Sequence, residues 1–385
     1  MIVPLTREEA LSKLKAKWRG LDRNSISLGL ADIEFKLPVE FKERLKKFVD
    51  DEYFHYTKLP GDPELLEAIA EKVRNFNRID IRPDKNVLLT IGAMNAIWLV
   101  THCFIKSGDR VLVIEPTYPP LFHAPKDLGA RVVFLKLKEE NNFHLDLEEL
   151  KKFFEDDIRV IILCNPNNPT GTVFTRDELE CLVELALRRG SIILSDEVYE
   201  FITYERRHIS VASLPGASDI VITISSFTKS FGLSGFRIGY IIADERFIKK
   251  MESVNRSIII QPGVIDQKAA LLALTLPEFK QWLSELRDYL RVNRDLIYNT
   301  LNTIPWIRCN LPEGTFFIFP NISWICNDST LFSKKLLRRY KVLVYAGSGF
   351  GPSGEGHIRM NFATSRANLL EALERINHFI YEIIY

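Results

Sequence analysis

The chain has 385 residues, of which 46% are hydrophobic and 26% charged, a composition typical of globular proteins. Its 51 basic and 50 acidic residues nearly cancel, so no global field attracts nucleic acid or an anionic membrane, and a small-molecule partner is favoured. Five scattered cysteines without metal-ligand spacing argue against a disulfide framework and a metal site. Because no signal-peptide core and no run of 18 apolar residues occurs, we expect a cytoplasmic protein that does not span a membrane.

Short apolar runs alternate with helix signals through the central part of the chain. Asp62-Pro63 predicts the start of one helix, and a capping box at Thr175 and Glu178 predicts another that ends at Gly190. The predicted buried strands are 87–90, 110–114, 130–135, 160–164, 192–195 and 220–224. This alternation predicts an α/β fold with a mostly parallel sheet sandwiched by helices.

The pattern changes after about residue 275. Apolar residues recur every three or four positions from Phe279 to Leu301, which predicts a long amphipathic helix. A last helix is expected from Ser365, and short strands are expected around 314–319, 342–345 and 358–362. We therefore expect a large α/β domain and a smaller α+β domain formed by both termini, with the boundaries 46–275 for the former and 1–45 plus 276–385 for the latter.

Polar and aromatic residues follow directly after five of the predicted strands. Ligands of open parallel sheets bind outside the carboxyl ends of the strands, so these residues should meet at one edge. In chain order they are Gly92, Ala93 and Met94, then Tyr118, Asn168, Asp196 and Tyr199, and finally Ser226 and Lys229. Each residue alone also fits a turn, a helix cap or a core position. Together they fit a site for a planar, phosphorylated, electrophilic cofactor.

Pyridoxal phosphate meets that description. Its aldehyde needs a lysine amine for a Schiff base, and its pyridine nitrogen needs a carboxylate. Lys229 and Asp196 match these needs. Its phosphate needs N–H donors, hydroxyls and an arginine, which Ser226, Arg237 and the helix start at Gly92 can supply.

Five motifs resemble, in order, those of the class I and II aminotransferases, the fold-type-I enzymes related to aspartate aminotransferase. They are Tyr56-Thr-Lys-Leu-Pro-Gly61, Asn165-Pro-Asn-Asn-Pro-Thr-Gly171, Asp196-Glu-Val-Tyr199, Ser226-Phe-Thr-Lys229 with its extension to Arg237-Ile-Gly-Tyr240, and His357-Ile-Arg359-Met-Asn-Phe-Ala363. The resemblance covers residues from roughly 25 to 380. It implies the fold-type-I fold and a ping-pong transfer of an α-amino group from an amino acid to a 2-oxo acid, with 2-oxoglutarate as the expected acceptor.

The resemblance also implies a role for each residue. Lys229 would hold pyridoxal phosphate and move the substrate proton, while Asp196 would pair with the ring nitrogen. Asn168 and Tyr199 would bind the phenolic oxygen of the cofactor, and Tyr118 would stack on its ring. The implied phosphate contacts are Gly92, Ala93, Met94, Ser226 and Arg237, joined by Tyr56 from the second subunit of a homodimer.

Substrate contacts follow from the same resemblance. Arg359 would bind the α-carboxylate in a bidentate fork, beside Ala31, Tyr118 and Asn168. Dicarboxylic substrates usually need a second cation for the side-chain carboxylate, and for Arg256 two interpretations stay open. Arg256 either reaches across the dimer to a side-chain carboxylate or lies on a helix surface.

One stretch departs from the usual pattern. The family commonly has Gly-x-Pro-Asp-Phe where this chain has Ala31-Asp-Ile-Glu-Phe35, so an alanine takes the glycine position. This stretch and Leu163-Cys164-Asn-Pro166 also resemble the cystathionine β-lyase-like branch, which eliminates at the β-carbon with the same cofactor. The form of the Arg237 motif is that of aminotransferases. Transamination is therefore favoured, and carbon–sulfur β-lyase activity is the alternative.

Two further patterns lead to structural interpretations. The segment Gly349-Phe-Gly-Pro-Ser-Gly354 satisfies GxGxxG, but a strand follows it instead of a helix. It is interpreted as a small-domain loop beside Arg359. The histidines lack metal-ligand spacing, and His123, His144 and His208 are expected at the surface or at helix ends.

Overall fold

The structure is a computed structural model that describes residues 2–155 and 157–385. Within these residues the strands are β1 (Ile26–Ser27), β2 (Val87–Thr90), β3 (Arg110–Glu115), β4 (Arg131–Lys136), β5 (Val160–Cys164), β6 (Ile192–Asp196), β7 (Val221–Ser226), β8 (Gly239–Ile242), β9 (Phe317–Ile318), β10 (Val342–Leu343), β11 (Tyr345–Ala346) and β12 (Ile358–Asn361). The α-helices are α1 (Arg7–Lys13), α2 (Val39–Asp50), α3 (Pro63–Lys72), α4 (Pro83–Asn86), α5 (Gly92–Phe104), α6 (Pro120–Asp127), α7 (Leu147–Phe153), α8 (Arg176–Arg189), α9 (Glu245–Arg256), α10 (Val264–Thr275), α11 (Pro277–Asn302), α12 (Ser329–Tyr340) and α13 (Arg366–Ile384).

The central sheet has the strand order β2-β8-β7-β6-β5-β3-β4. Its strands β3 to β7 pair in parallel, whereas β8 is antiparallel to both of its neighbours, β2 and β7. The six predicted strands and the mostly parallel α/β fold are thus confirmed. Strand β8 was missing from the prediction because Gly239-Tyr-Ile-Ile directly follows the Arg237 motif and has no turn signal of its own.

The parallel strands place their carboxyl ends at one edge of the sheet. Cys164 at the end of β5 lies opposite Asp196 at the end of β6, and Glu115 and Ser226 end β3 and β7 at the same edge. The strands themselves are almost entirely buried, so only the residues at their ends and just beyond can reach a ligand.

Two smaller sheets accompany the central one. Strands β11, β12 and β9 form an antiparallel sheet, and β1 pairs in parallel with β10. The predicted long helix is α11, and the last predicted helix is α13 with Ser365 as its N-cap. Strand β1 brings the segment that contains Ala31 next to the residues around Arg359. Among the described residues, no helix has the length and apolar character that a membrane crossing requires.

An ion cluster around His144 joins three separate segments. Nδ1 of His144 lies 3.0 Å from Oε2 of Glu178, and Nε2 lies 3.4 Å from Oε2 of Glu313. Burial disfavours the charged ring, but the hydrogen bonds to both carboxylates outweigh burial and raise the pKa of His144 to about 9. The ring is therefore expected to be protonated at neutral pH.

We predict that this cluster makes the free energy of unfolding fall at alkaline pH. The folded-state pKa lies above the ordinary value of 6.5, so the stabilisation is fully present below pH 6.5 and is lost as pH rises through about 9. At about 1.4 kcal/mol per pH unit, the loss amounts to about 3 kcal/mol. Urea unfolding of the wild type and of His144→Gln between pH 6 and 10 tests this prediction. A stability difference between the two proteins that stays constant with pH would contradict it.

Candidate active site

A cavity of about 220 Å³ opens at the carboxyl edge of the central sheet. All of the predicted site residues except Gly92 and Tyr56 line it, namely Ala31, Ala93, Met94, Tyr118, Asn168, Asp196, Tyr199, Ser226, Lys229, Arg237 and Arg359. These residues come from strands, one helix start and several loops that are far apart in the chain. The structure therefore brings together in one cavity the residues whose convergence was predicted from the parallel sheet.

Lys229 extends into the cavity three residues beyond the end of β7. Its Nζ donates a hydrogen bond to the carbonyl oxygen of Ala31 at 2.7 Å. Burial lowers the pKa of Lys229 to about 8, with the positive charge of Arg359 adding to the effect and Asp32 opposing it. An amine with this pKa is partly neutral near physiological pH, so it can act both as a nucleophile and as a proton carrier.

Asp196 is the last residue of β6 and lines the cavity. Its side chain is buried, and burial raises the pKa of this carboxyl to about 7. A hydrogen bond from the Val198 N–H at 3.4 Å and the nearby charge of Lys229 only partly offset the loss of hydration. A cationic ring N–H placed against this carboxylate would compensate its charge.

Groups that can bind a phosphate lie at the start of α5, at the end of β7 and on Arg237. The buried Ser226 Oγ has no hydrogen-bond partner among the described residues. Gly92 has a φ of 69°, and a Cβ there would lie 2.8 Å from Nη2 of Arg237, so the guanidinium packs directly over the helix start. Backbone N–H groups, a free hydroxyl and an arginine thus converge, which is the donor set that a phosphate requires.

Arg359 lies on β12 and also lines the cavity. Nη1 donates to Oδ1 of Asn168 at 2.9 Å and Nη2 donates to the carbonyl oxygen of Gly29 at 2.7 Å. Both acceptors are neutral, and within the described chain the buried Nε has no hydrogen-bond partner. Burial lowers the pKa of Arg359 to about 10. A buried guanidinium with neutral partners is a site prepared for a carboxylate.

Aromatic side chains pack around Arg359 and line part of the cavity. The Phe317 and Phe350 ring centres lie 4.2 and 4.8 Å from the guanidinium carbon of Arg359. Tyr199 is buried against Phe317 in an edge-to-face contact, and burial raises the pKa of its phenol well above the ordinary value. Tyr118 extends its hydroxyl toward the Met94 sulfur at 3.5 Å. The phenols therefore stay neutral hydrogen-bonding groups at physiological pH.

Comparison with known families decides the class of this protein. The family model described as aminotransferase class I and II matches residues 23–376. The chain belongs to the class I and II aminotransferases. It is therefore a transaminase enzyme of the aspartate-aminotransferase-like group, as the motifs indicated.

Individual relatives support the same assignment. An aspartate aminotransferase of Pyrococcus abyssi is 34% identical over 363 residues, which cover 94% of this chain and 92% of the relative. Aromatic-amino-acid aminotransferase 2 of Thermococcus litoralis is 34% identical over 360 residues, or 93% of this chain and 92% of that protein. The crystal structure of an aromatic aminotransferase from Pyrococcus horikoshii matches with a TM-score of 0.89 at 34% identity and covers 93% of this chain and 96% of its own.

Two predicted residues of the aminotransferase lie away from its cavity. Tyr56 is 78% exposed and lies beside Gln261 in a separate surface depression. Arg256, at the end of α9, pairs with Glu252 in the same helix at 2.7 Å. Within one chain, neither side chain contributes to the site, so any role in binding requires a second subunit.

Sequence reasoning missed several residues around the aminotransferase site. Tyr345 and Phe350 line the cavity from the segment that follows β10, and the amide of Asn361 donates to the carbonyl oxygens of Leu30 and Asp32. Motif signals identify residues that bind ligands, but they do not identify the residues that pack behind them. The position of Asn361 inside the Arg359 motif was the available clue.

The expected surface position of His208 was wrong. His208 is buried, and its Nε2 lies 3.0 Å from Oε2 of Glu197, the neighbour of Asp196. Glu197 also accepts hydrogen bonds from the Ser195 hydroxyl and the Val211 N–H. His208 is thus part of the polar network behind the site. No signal in the sequence indicated this contact, because the chain between Glu197 and His208 forms neither a helix nor a named strand.

Proposed function

We propose that this aminotransferase uses pyridoxal phosphate to move the α-amino group of an amino acid to a 2-oxo acid, with 2-oxoglutarate as the acceptor, in two successive half-reactions. The observation that carries the proposal is the convergence of three groups on one cavity. They are the Lys229 amine with its lowered pKa, the Asp196 carboxyl with its raised pKa and the buried Arg359 guanidinium with its neutral partners.

The residues of the cavity fit this cofactor. When bound, pyridoxal phosphate supplies an aldehyde and an electron-withdrawing ring that acidifies the α-carbon of the amino acid. Asp196 would face the ring nitrogen, and Asn168 and Tyr199 would face the phenolic oxygen. Tyr118 would cover one face of the ring. The phosphate would be held by Gly92, Ala93, Met94, Ser226 and Arg237.

Lys229 would carry out the proton transfer. Its amine, with a pKa near 8, can take a proton from the substrate α-carbon and return it to another carbon without a large free-energy penalty. Arg359 would fix the α-carboxylate by a bidentate pair of hydrogen bonds, which orients the α-hydrogen toward Lys229. Asn168 and the backbone at Ala31 would complete the carboxylate site.

We also propose that the enzyme is a homodimer in which Tyr56 reaches the phosphate of the neighbouring site. The high exposure of Tyr56, with Tyr53 and Phe54 also exposed beside it, supports this assembly. The division into a large domain (46–275) and a small domain (1–45 and 276–385) belongs to the same proposal, and the pairing of β1 with β10 supports it. Arg256 remains a candidate for binding a side-chain carboxylate across the dimer.

A subunit-mixing experiment tests the role of Tyr56. The Lys229→Ala and Tyr56→Ala proteins are assayed separately and after mixing in equal amounts. Pyridoxal phosphate is kept limiting, so that the Tyr56→Ala homodimer contains little cofactor. If Tyr56 acts across the interface, each mixed dimer has one intact site, and activity should recover to about a quarter of the wild-type value after subunit exchange. Activity no higher than the mean of the two homodimers would contradict a contribution from the neighbour.

The proposed reaction is tested by a half-reaction screen. The cofactor-loaded protein is mixed with each amino acid without an acceptor, and its visible absorbance and the oxo acid formed are followed. We expect one equivalent of oxo acid per site, and glutamate on later addition of 2-oxoglutarate. Release of pyruvate and ammonia from cystathionine without an acceptor would instead indicate a carbon–sulfur β-lyase, which the aminotransferase names of the relatives do not favour. Arg256→Ala with unchanged aspartate and glutamate kinetics would exclude that arginine.

A further inference from the structure

The loop from Gly347 to Gly354 contacts the end of β3 through a buried carboxylate. Glu115, the last residue of β3, is only 3% exposed, and its Oε2 accepts a hydrogen bond from the Ser353 N–H at 3.2 Å. Two residues later, the Thr117 N–H donates to the carbonyl oxygen of Phe350 at 2.8 Å. The central sheet and this loop are therefore joined at two adjacent points.

Gly351 makes this approach sterically feasible. Its φ is 116°, a conformation that residues with a side chain rarely adopt. A Cβ at this position would lie 2.2 Å from Oε2 of Glu115, far inside van der Waals contact. The glycine that looked like part of a dinucleotide motif thus serves to let the loop backbone lie against a carboxylate.

The joined segments carry two walls of the cavity. Phe350, next to Gly351, packs its ring against the guanidinium of Arg359 with a centroid distance of 4.8 Å. Tyr118, which follows Thr117, also lines the cavity. On its far side the same loop is held to α12, because the Ser348 N–H donates to the Ser329 hydroxyl at 3.2 Å.

We propose that Glu115 is a positioning residue that fixes the loop 347–354, so that Phe350 holds the Arg359 guanidinium in the orientation that binds the substrate carboxylate. This inference rests on the proposed role of Arg359. Burial also raises the pKa of Glu115, and its function requires only an oxygen acceptor for the Ser353 N–H. Glutamine can supply that acceptor, whereas alanine cannot.

The central test compares Glu115→Ala with Glu115→Gln in the amino-acid half-reaction. We expect alanine to raise KM about tenfold with kcat within about twofold, because carboxylate binding is weakened equally in the ground and transition states. Glutamine should restore nearly wild-type KM. Glu178→Ala is the matched control, since Glu178 is also a buried glutamate that accepts backbone N–H bonds but does not line the cavity. It should lose stability without a change in KM.

Hydrogen exchange gives a readout that does not depend on turnover. In Glu115→Ala, the amides of Ser353 and Thr117 should exchange at least about tenfold faster in both the cofactor-free and the loaded protein, because the bonds that protect them are lost or loosened. In Glu178→Ala these two amides should keep their wild-type rates. Unchanged exchange in Glu115→Ala would overturn the proposed contact.

Gly351→Ala tests the same contact from the side of the loop. It keeps the inference testable even if Glu115→Ala folds poorly. Its methyl group must displace the carboxylate, so KM should rise as in Glu115→Ala, and the double variant should show less than the sum of the two effects. A wild-type KM in Glu115→Ala or in Gly351→Ala would overturn the inference and leave the proposed function intact. If the wild type itself formed no oxo acid from any amino acid, the proposed function and the substrate role of Glu115 would both fail.

Discussion

Replacing Lys229 by alanine is expected to reduce transamination by at least about 10⁴-fold, because both the nucleophile and the proton carrier of the site are lost. The amine of Lys229 combines a pKa near 8 with a position in the cavity, three residues beyond the end of β7. Its hydrogen bond to Ala31 holds it beside the segment that leads to the substrate site. No other lysine of the described chain lines the cavity, so no neighbouring amine can replace it.

Single-turnover measurements with excess protein separate this loss from poor folding. Because burial of the Lys229 ammonium is unfavourable, the cofactor-free variant should unfold at no lower temperature than the wild type at pH 7. Lys229→Arg is the control that retains a cation of similar length without a nucleophilic amine. Turnover of amino acids by either variant with bound pyridoxal phosphate at more than about one hundredth of the wild-type rate would refute the role of the amine.

Most of the residues that line this cavity could be predicted because they lie within a few residues of strand ends. Asp196 ends β6, and Lys229 follows β7, so the rule for parallel sheets places both at one edge without knowledge of the fold in detail. The resemblance then assigned Arg359, which lies on a separate small sheet and follows no strand of the central one.

The supporting contacts could not be predicted in the same way. Glu115 and Ser353 are 238 positions apart, and neither helical nor strand periodicity relates them. Phe350 looks like an ordinary loop residue until the packing of its ring on Arg359 is known. Such contacts depend on how the two sheets meet, which is a property of tertiary packing and has no local signal.

Asp196→Asn is expected to impair catalysis strongly while stabilising the cofactor-free protein. Asparagine has nearly the same shape but cannot bear the negative charge that would keep the pyridine nitrogen protonated, so we expect the rate of the half-reaction to fall by about 10³-fold. The affinity for pyridoxal phosphate should fall as well, because a charge-assisted hydrogen bond is replaced by a neutral one. Equilibrium dialysis and single-turnover kinetics measure the two effects separately.

The stability effect has the opposite sign because the pKa of Asp196 is raised in the folded state. An unfolded chain ionises this group near 3.8, whereas the folded protein retains its proton up to about pH 7, so stability falls between these values as pH rises. At about 1.4 kcal/mol per pH unit the buried charge costs up to about 4 kcal/mol above pH 7. Asparagine removes that cost, so cofactor-free Asp196→Asn should unfold at higher denaturant concentration than the wild type at pH 8, and the difference should vanish near pH 4. If the variant were less stable than the wild type at pH 8, the protein itself would already compensate the negative charge of Asp196. A cationic partner would then not be needed to explain the buried position of this carboxylate.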